Sequence, residues 1–121
     1  MTQAVSKTAQ PKYELVRRTS DKYQIDRDTI RDILGISEST QFRYEKNNPV
    51  LKPNLLDRWA RFERVIQQAE ELFEDRVETQ RWLSTKKTVL GNKAPLEVLG
   101  TDAGCRQVEQ MLMQAAYGVF S

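Results

Sequence analysis

The side chains that most often carry chemistry near neutral pH are scarce in this sequence. Histidine is absent and cysteine occurs once, at Cys105. No Ser-His-Asp or Cys-His arrangement can be assembled from such a set, no His/Cys zinc cluster can close within one chain, and no intrachain disulfide framework exists. Five carboxylates cluster at Glu70, Glu71, Glu74, Asp75 and Glu78. Acid–base work or metal ligation would need two or more of them converging in a pocket. Their spacing spreads them over the polar face of a helix and the turn after it, beside Arg76 and Arg81, so a solvated face is expected. Lys86, Lys87 and Lys93 offer positive charge to an anion, without the glycine-rich loop that cradles phosphate. Cys105 falls in the first turn of a helix, a position that can lower a thiol pKa. With no base or resolving cysteine beside it, it reads as a small packing residue. The expectation is a binding protein that is not an enzyme and takes no cofactor and no metal.

Residues that recognise rather than react are better represented. The stretch 27–46, RDTIRDILGISESTQFRYEK, has the layout of a helix-turn-helix. That motif wants apolar residues at fixed points on two helices and a glycine at the turn, so that the second helix can lie in the major groove of DNA. Ile30, Leu34, Gly35 and Ile36 sit accordingly. The candidate DNA-binding residues are Ser37, Ser39, Thr40, Gln41, Arg43 and Lys46, types that hydrogen-bond base edges or phosphates. Arg31 stands where a small residue usually lets the helices approach, and Gln41 where an apolar residue usually packs. A simple helical hairpin capping the back half is the alternative that these residues leave open.

The elements that must position these residues follow from periodicity. With 121 residues, 39% hydrophobic and 30% charged, and only nine Gly and Pro together, the chain is of single-domain size and helical in composition. Met1 to Gln10 shows no periodicity and reads as a disordered tail (1–10). Pro11 opens a helix through Tyr13, Leu15 and Val16 that ends at Arg17 and Arg18. Asp26 caps a helix from Arg27 to Leu34, and Ser37 caps one from Glu38 to about Asn47. Pro53 then starts a helix of about five turns in which Leu55, Leu56, Trp59, Phe62, Ile66, Ala69, Leu72 and Phe73 form one apolar stripe. A core helix is the first explanation for that stripe. Its length also suits a dimer seam, with Leu55, Trp59, Phe62 and Ile66 as the candidate interface. A helix at Val77 to Leu83 turns Val77, Trp82 and Leu83 inward, and a loop with Gly91-Asn92 follows. Pro95 to Leu99 makes a short helical turn. Thr101 caps the last helix, whose buried stripe is Val108, Met111, Leu112 and Ala115, with Gly118 as its terminator. Nothing reads as a strand, so the fold class is all-α.

Charge divides along the same line. Residues 1–53 carry ten basic and seven acidic side chains, a net +3, while residues 54–121 carry nine and ten, a net −1. The turn-rich segment Asn47 to Pro53 separates them. A basic front and a near-neutral back suit a nucleic-acid reader joined to a protein-binding module. No run approaches the ~18 apolar residues of a membrane span, the first residues lack a signal-peptide core, and a lone cysteine fits a reducing compartment. A cytoplasmic protein without a membrane partner is expected.

The back half carries an ordered set of short motifs: Leu72-Phe73-Glu74-Asp75, Trp82-Leu83, Leu90-Gly91, Ala94-Pro95-Leu96, Leu99, Thr101, Gly104, Val108, Leu112 and Gly118. Together they resemble the Xre/MbcA/ParS antitoxin family over residues 54–121, the C-terminal toxin-binding domain of that family. Residues 11–53 resemble the Xre-like helix-turn-helix that precedes it. Where relatives carry Pro after Trp-Leu this chain has Thr85-Lys86-Lys87, and where a second Gly is common it has Asn92. The resemblance implies an antitoxin that binds a RES-domain toxin, an enzyme that degrades NAD. It would cover that enzyme's active-site entrance and repress its own operon through operator DNA. It also implies a homodimer that joins toxin in a larger hetero-oligomer. The candidate toxin-binding residues are Gly91, Asn92 and Lys93 in the loop, and Tyr117, Gly118, Val119, Phe120 and Ser121 at the end. The alternative is a helix-turn-helix transcription regulator whose C-terminal half only dimerises.

Overall fold

Four of the described helices start beside a side chain that accepts an amide hydrogen the first turn leaves free. The computed structural model describes residues 10–118. Among them lie α1 (Glu14–Tyr23), α2 (Arg27–Leu34), α3 (Glu38–Asn47), α4 (Pro53–Phe73), α5 (Arg76–Ser84), a 3-10 turn (Thr88–Leu90), α6 (Pro95–Val98) and α7 (Asp102–Ala116). Asp26 caps α2 by accepting from the Thr29 amide at 2.8 Å, Ser37 caps α3 from Thr40 at 3.1 Å, and Thr101 caps α7 from Gly104 at 3.0 Å. Asp75 does the same for α5, taking the Glu78 amide at 2.9 Å. Pro53 occupies the first turn of α4, where its missing N–H costs nothing. Val119, Phe120 and Ser121, and all but Gln10 of the expected tail, lie outside the described residues.

The long helix α4 is the axis. Trp59, Phe62, Val65 and Ala69 are fully buried, with the Trp59 and Phe62 rings 4.7 Å apart. On one side α4 takes α2 through Ile30, Ile33 and Leu34; on another it takes α7 through Cys105, Val108 and Leu112. The buried residues from Tyr13 to Leu112 form one continuous cluster. Leu55, Trp59, Phe62 and Ile66, the expected dimer face, are 0–5% exposed within this single chain. That expectation is corrected: a stripe already covered by α2, α5 and α7 has no surface left for a second copy.

The front of the molecule is closed by backbone pairing. The Tyr13 amide donates to the Pro49 carbonyl and the Leu51 amide to the Pro11 carbonyl, both at 2.9 Å. Lys12 and Val50 thus form an isolated antiparallel bridge, and the described residues contain no strand. Pro11 therefore holds the bridge and does not open α1. The first helix also runs past Arg17 and Arg18 to Tyr23. It continues because Ser20 is buried with its hydroxyl donating to the Val16 carbonyl at 2.7 Å, and Thr19 donates to Glu63 of α4 at 2.5 Å.

Two residues expected to face inward do not. Val77 is exposed on α5, and Thr79 is buried in its place with its hydroxyl on the Asp75 carbonyl at 2.7 Å. Ala115 is exposed on α7, leaving Val108 and Leu112 fully buried and Met111 at the edge. No described helix is long and apolar enough to cross a membrane.

Candidate functional site

The turn between α2 and α3 is built on Gly35, at φ +69°. A Cβ there would lie 2.3 Å from the Arg58 guanidinium, which reaches over the turn toward the Ile33 carbonyl. The left-handed backbone and the covering arginine together fix the angle at which α3 leaves α2. Arg31 and Gln41, the two residues least expected at their positions, meet across this corner. Arg31 donates to Gln41 Oε1 at 2.7 Å, and the Gln41 amide donates to the Arg27 carbonyl at 3.0 Å. Arg27 adds a bidentate pair to Glu45 at 2.9 and 3.0 Å. Gln41 is fully buried. It is therefore a weld between the helices and not a base reader, which corrects its place among the DNA-binding candidates.

The other five candidates are accessible in different ways. Ser37 and Thr40 stand at the turn, hydrogen-bonded to one another as the cap of α3. Ser39, Arg43 and Lys46 lie on the open face of α3, and Arg43 rests over the Tyr44 ring at 5.8 Å. Neither Arg43 nor Lys46 has a carboxylate partner among the described residues, in contrast to Arg18, Arg27 and Arg31. Cations flank α3 on both sides. Arg43 shares a shallow hollow with Lys52, and Lys46 shares another with Arg17 of α1 and with Phe42. Phe42 itself is 63% exposed. It is not among the residues expected to bind DNA, although it shares the three- and four-residue spacing of Ser39, Arg43 and Lys46. A helix with free positive charge on either flank has the shape and sign to enter a major groove between two phosphate strands.

The second candidate surface lies on the back half. A groove of 340 Å³ runs between the end of α5, the 3-10 turn and α7, lined by Trp82, Val89, Gln107, Gln110, Met111 and Gln114. Val89 is 64% exposed, and its carbonyl accepts from Gln107 at 3.3 Å. The expected loop residues Gly91, Asn92 and Lys93 are exposed directly after this turn. Their conformation is fixed by the Lys87 amide donating to the Lys93 carbonyl and the Asn92 amide to the Lys87 carbonyl, each at 2.9 Å. Asn92 takes φ +66° beside Gly91, the left-handed geometry that asparagine tolerates. Tyr117, 80% exposed, follows α7 at the other end, and Gly118 turns the chain at φ +68°. Sequence reasoning thus named residues flanking the groove and missed its lining, because Trp82 and Met111 read as core.

Residues considered for chemistry have structural employment. Cys105 is buried against the Leu99 carbonyl, and burial pushes its thiol pKa up, the reverse of the activation that a helix start can give. Glu70 accepts from Tyr23, and Glu78 pairs with Arg81. Lys87 lies over the Trp82 ring at 5.0 Å, and partial burial lowers its pKa. Among the described residues no group of three or more potential metal ligands comes together.

Both surfaces fall within regions that match known families. Residues 3–64 match the antitoxin Xre-like helix-turn-helix domain, and residues 68–118 match the antitoxin Xre/MbcA/ParS C-terminal toxin-binding domain. An antitoxin Xre of Pseudomonas putida is 33% identical over 88 residues, 73% of this chain and 55% of its own length. An antitoxin Xre of Yersinia enterocolitica is 32% identical over 88 residues, 72% of this chain and 60% of its own. The chain therefore spans little more than half the length of these curated relatives. A helix-turn-helix with an exposed second helix, joined through α4 to the matched back half in one all-helical core, places this chain in the Xre/MbcA/ParS antitoxin family.

Proposed function

We propose that the chain is the antitoxin of a toxin–antitoxin pair, with a RES-domain, NAD-degrading enzyme as its partner. It binds that enzyme through the groove between α5 and α7, the Gly91-Asn92-Lys93 loop and the end from Tyr117 to Ser121. Seated there, it covers the active-site entrance and keeps NAD out, so the chemistry belongs to the partner. The observation that carries this reading is the coincidence of the open apolar groove with the region matching a toxin-binding domain. The same chain binds operator DNA through Ser39, Arg43 and Lys46 of α3. A homodimer reading two half-sites would pair through a surface other than the buried face of α4.

The test is co-expression with a RES-domain toxin, scored by growth and by cellular NAD. Wild type restores both. Val89→Glu changes a 64% exposed side chain and so leaves the fold intact, yet it costs more than about 1 kcal/mol of toxin affinity. Removing Gly118 to Ser121 weakens protection, and full protection by that shortened chain would remove the end from the interface. NAD loss undiminished by wild type would sink the reading as a whole.

A further inference from the structure

Phe42 stands out among the large apolar side chains that face solvent. Val77, Val89, Met113 and Tyr117 belong to the back half, and Val50 to the closing bridge. Phe42 alone lies on α3, 63% exposed, on the face that also carries Ser39, Arg43 and Lys46. Its hollow is shared with Arg17 and Lys46, and the one carboxylate there, Glu45, is held by Arg27. An aromatic ring flanked by Lys46, which has no carboxylate partner among the described residues, and by Arg17, whose guanidinium donates to the Glu45 carbonyl, is poorly matched to an apolar protein surface. It is well matched to a polyanion that presents an isolated apolar group. In the major groove of duplex DNA that group is the C5 methyl of thymine.

We propose that Phe42 is a specificity-determining residue that contacts a thymine methyl in the operator, with Lys46 and Arg17 on the phosphates beside it. This rests on the DNA-binding half of the proposed function and adds which base is read, and by what. The contact is apolar and carries no hydrogen bond, so it selects thymine against bases that lack the methyl while leaving the phosphate contacts unchanged.

Deoxyuridine differs from thymidine only by that methyl, which makes it the probe. The full chain is used to select a duplex from a random-sequence pool. The selected duplex is then remade with uracil replacing thymine one position at a time, and binding is measured by fluorescence anisotropy. One replacement is expected to weaken wild-type binding about fourfold, the ratio for losing burial of one methyl group. Phe42→Ala should weaken binding to the thymine duplex at least as much, and should bind the thymine and uracil duplexes alike at that position. Phe42→Leu, still apolar, should keep part of the discrimination. The salt dependence of Phe42→Ala should match wild type, because no phosphate contact is removed. The proposal falls if Phe42→Ala discriminates the two duplexes as wild type does. It falls likewise if Phe42→Ala instead changes the sedimentation of the free protein, which would make the ring a contact between copies. If wild type enriches no duplex at all, the DNA-binding reading fails with it. Salt-sensitive binding that ignores every methyl overturns this inference and leaves that reading standing.

Discussion

Gln41 Oε1 receives the Arg31 guanidinium while the other end of its amide is spent on the Arg27 carbonyl, and the whole side chain is out of water. A buried amide with one partner removed keeps its desolvation cost without the compensating bond, about 1–3 kcal/mol. Arg31→Ala is therefore expected to lower the urea unfolding free energy by about that amount. The double variant Arg31→Met/Gln41→Leu, which removes both partners and restores apolar packing, should recover most of it. A double variant as destabilised as Arg31→Ala would show that the unpaired Gln41 amide is not what the single change costs. Asp26 gives a second test at this scale. Hydrogen bonds from Thr29 hold its carboxyl below the usual aspartate range. A carboxyl with a lowered folded pKa stabilises fully above its unfolded value and loses that stabilisation as pH falls through the folded one. Asp26→Ala should cost about 1 kcal/mol near neutral pH. The gap from wild type should close below about pH 4, as followed by urea titrations at several pH values.

At the scale of elements, the junction of α6 and α7 depends on a missing side chain. A Cβ on Gly104 would stand 1.7 Å from the Val98 carbonyl oxygen, a backbone atom that cannot swing aside. Gly104→Ala must push the start of α7 off α6, at about 1–3 kcal/mol. A lower melting temperature should appear together with faster labelling of the buried Cys105 thiol by a thiol reagent. An unchanged labelling rate would mean that the junction absorbs the methyl elsewhere. Why some of this architecture was legible from sequence and some was not follows from the range of the forces. The caps at Asp26, Ser37 and Thr101, the start at Pro53 and the stop at Gly118 are local chemistry, and they lie where the sequence puts them. The length of α1 depends on Thr19 meeting Glu63, forty-four residues away, and no local pattern announces it. Val77 and Ala115 were misplaced because an apolar residue beside a helical stripe satisfies the period without necessarily facing inward. At the candidate site, Arg43 and Lys46 were readable as polar residues on an outer face. Gln41 was not, because its burial depends on Arg31 of another helix.

Across the molecule, the division into a helix-turn-helix front and a back that matches a toxin-binding domain does not correspond to two cores. Tyr13, Ile33 and Leu34 from the front and Cys105, Val108 and Leu112 from the back pack into the same cluster around Trp59 and Phe62. Gly100, between α6 and α7, lies so near α2 that a Cβ would be 2.9 Å from the Asp32 carbonyl oxygen. Contacts of this kind make the front depend on the back for its buried surface. A chain of this size with one core should unfold in one step. Tryptophan fluorescence, from buried Trp59 and half-buried Trp82, and far-ultraviolet circular dichroism should therefore give coincident urea transitions. Leu112→Asp sharpens the test, since it puts a carboxylate without a partner at a fully buried position on α7, far beyond what one core can absorb. With a shared core, amide exchange protection should vanish in α1, α2 and α3 as well as in α7. Protection surviving in the first three helices alone would mean that the helix-turn-helix folds without the rest. In that case binding at the groove and binding at α3 would not be linked through the packing around α4.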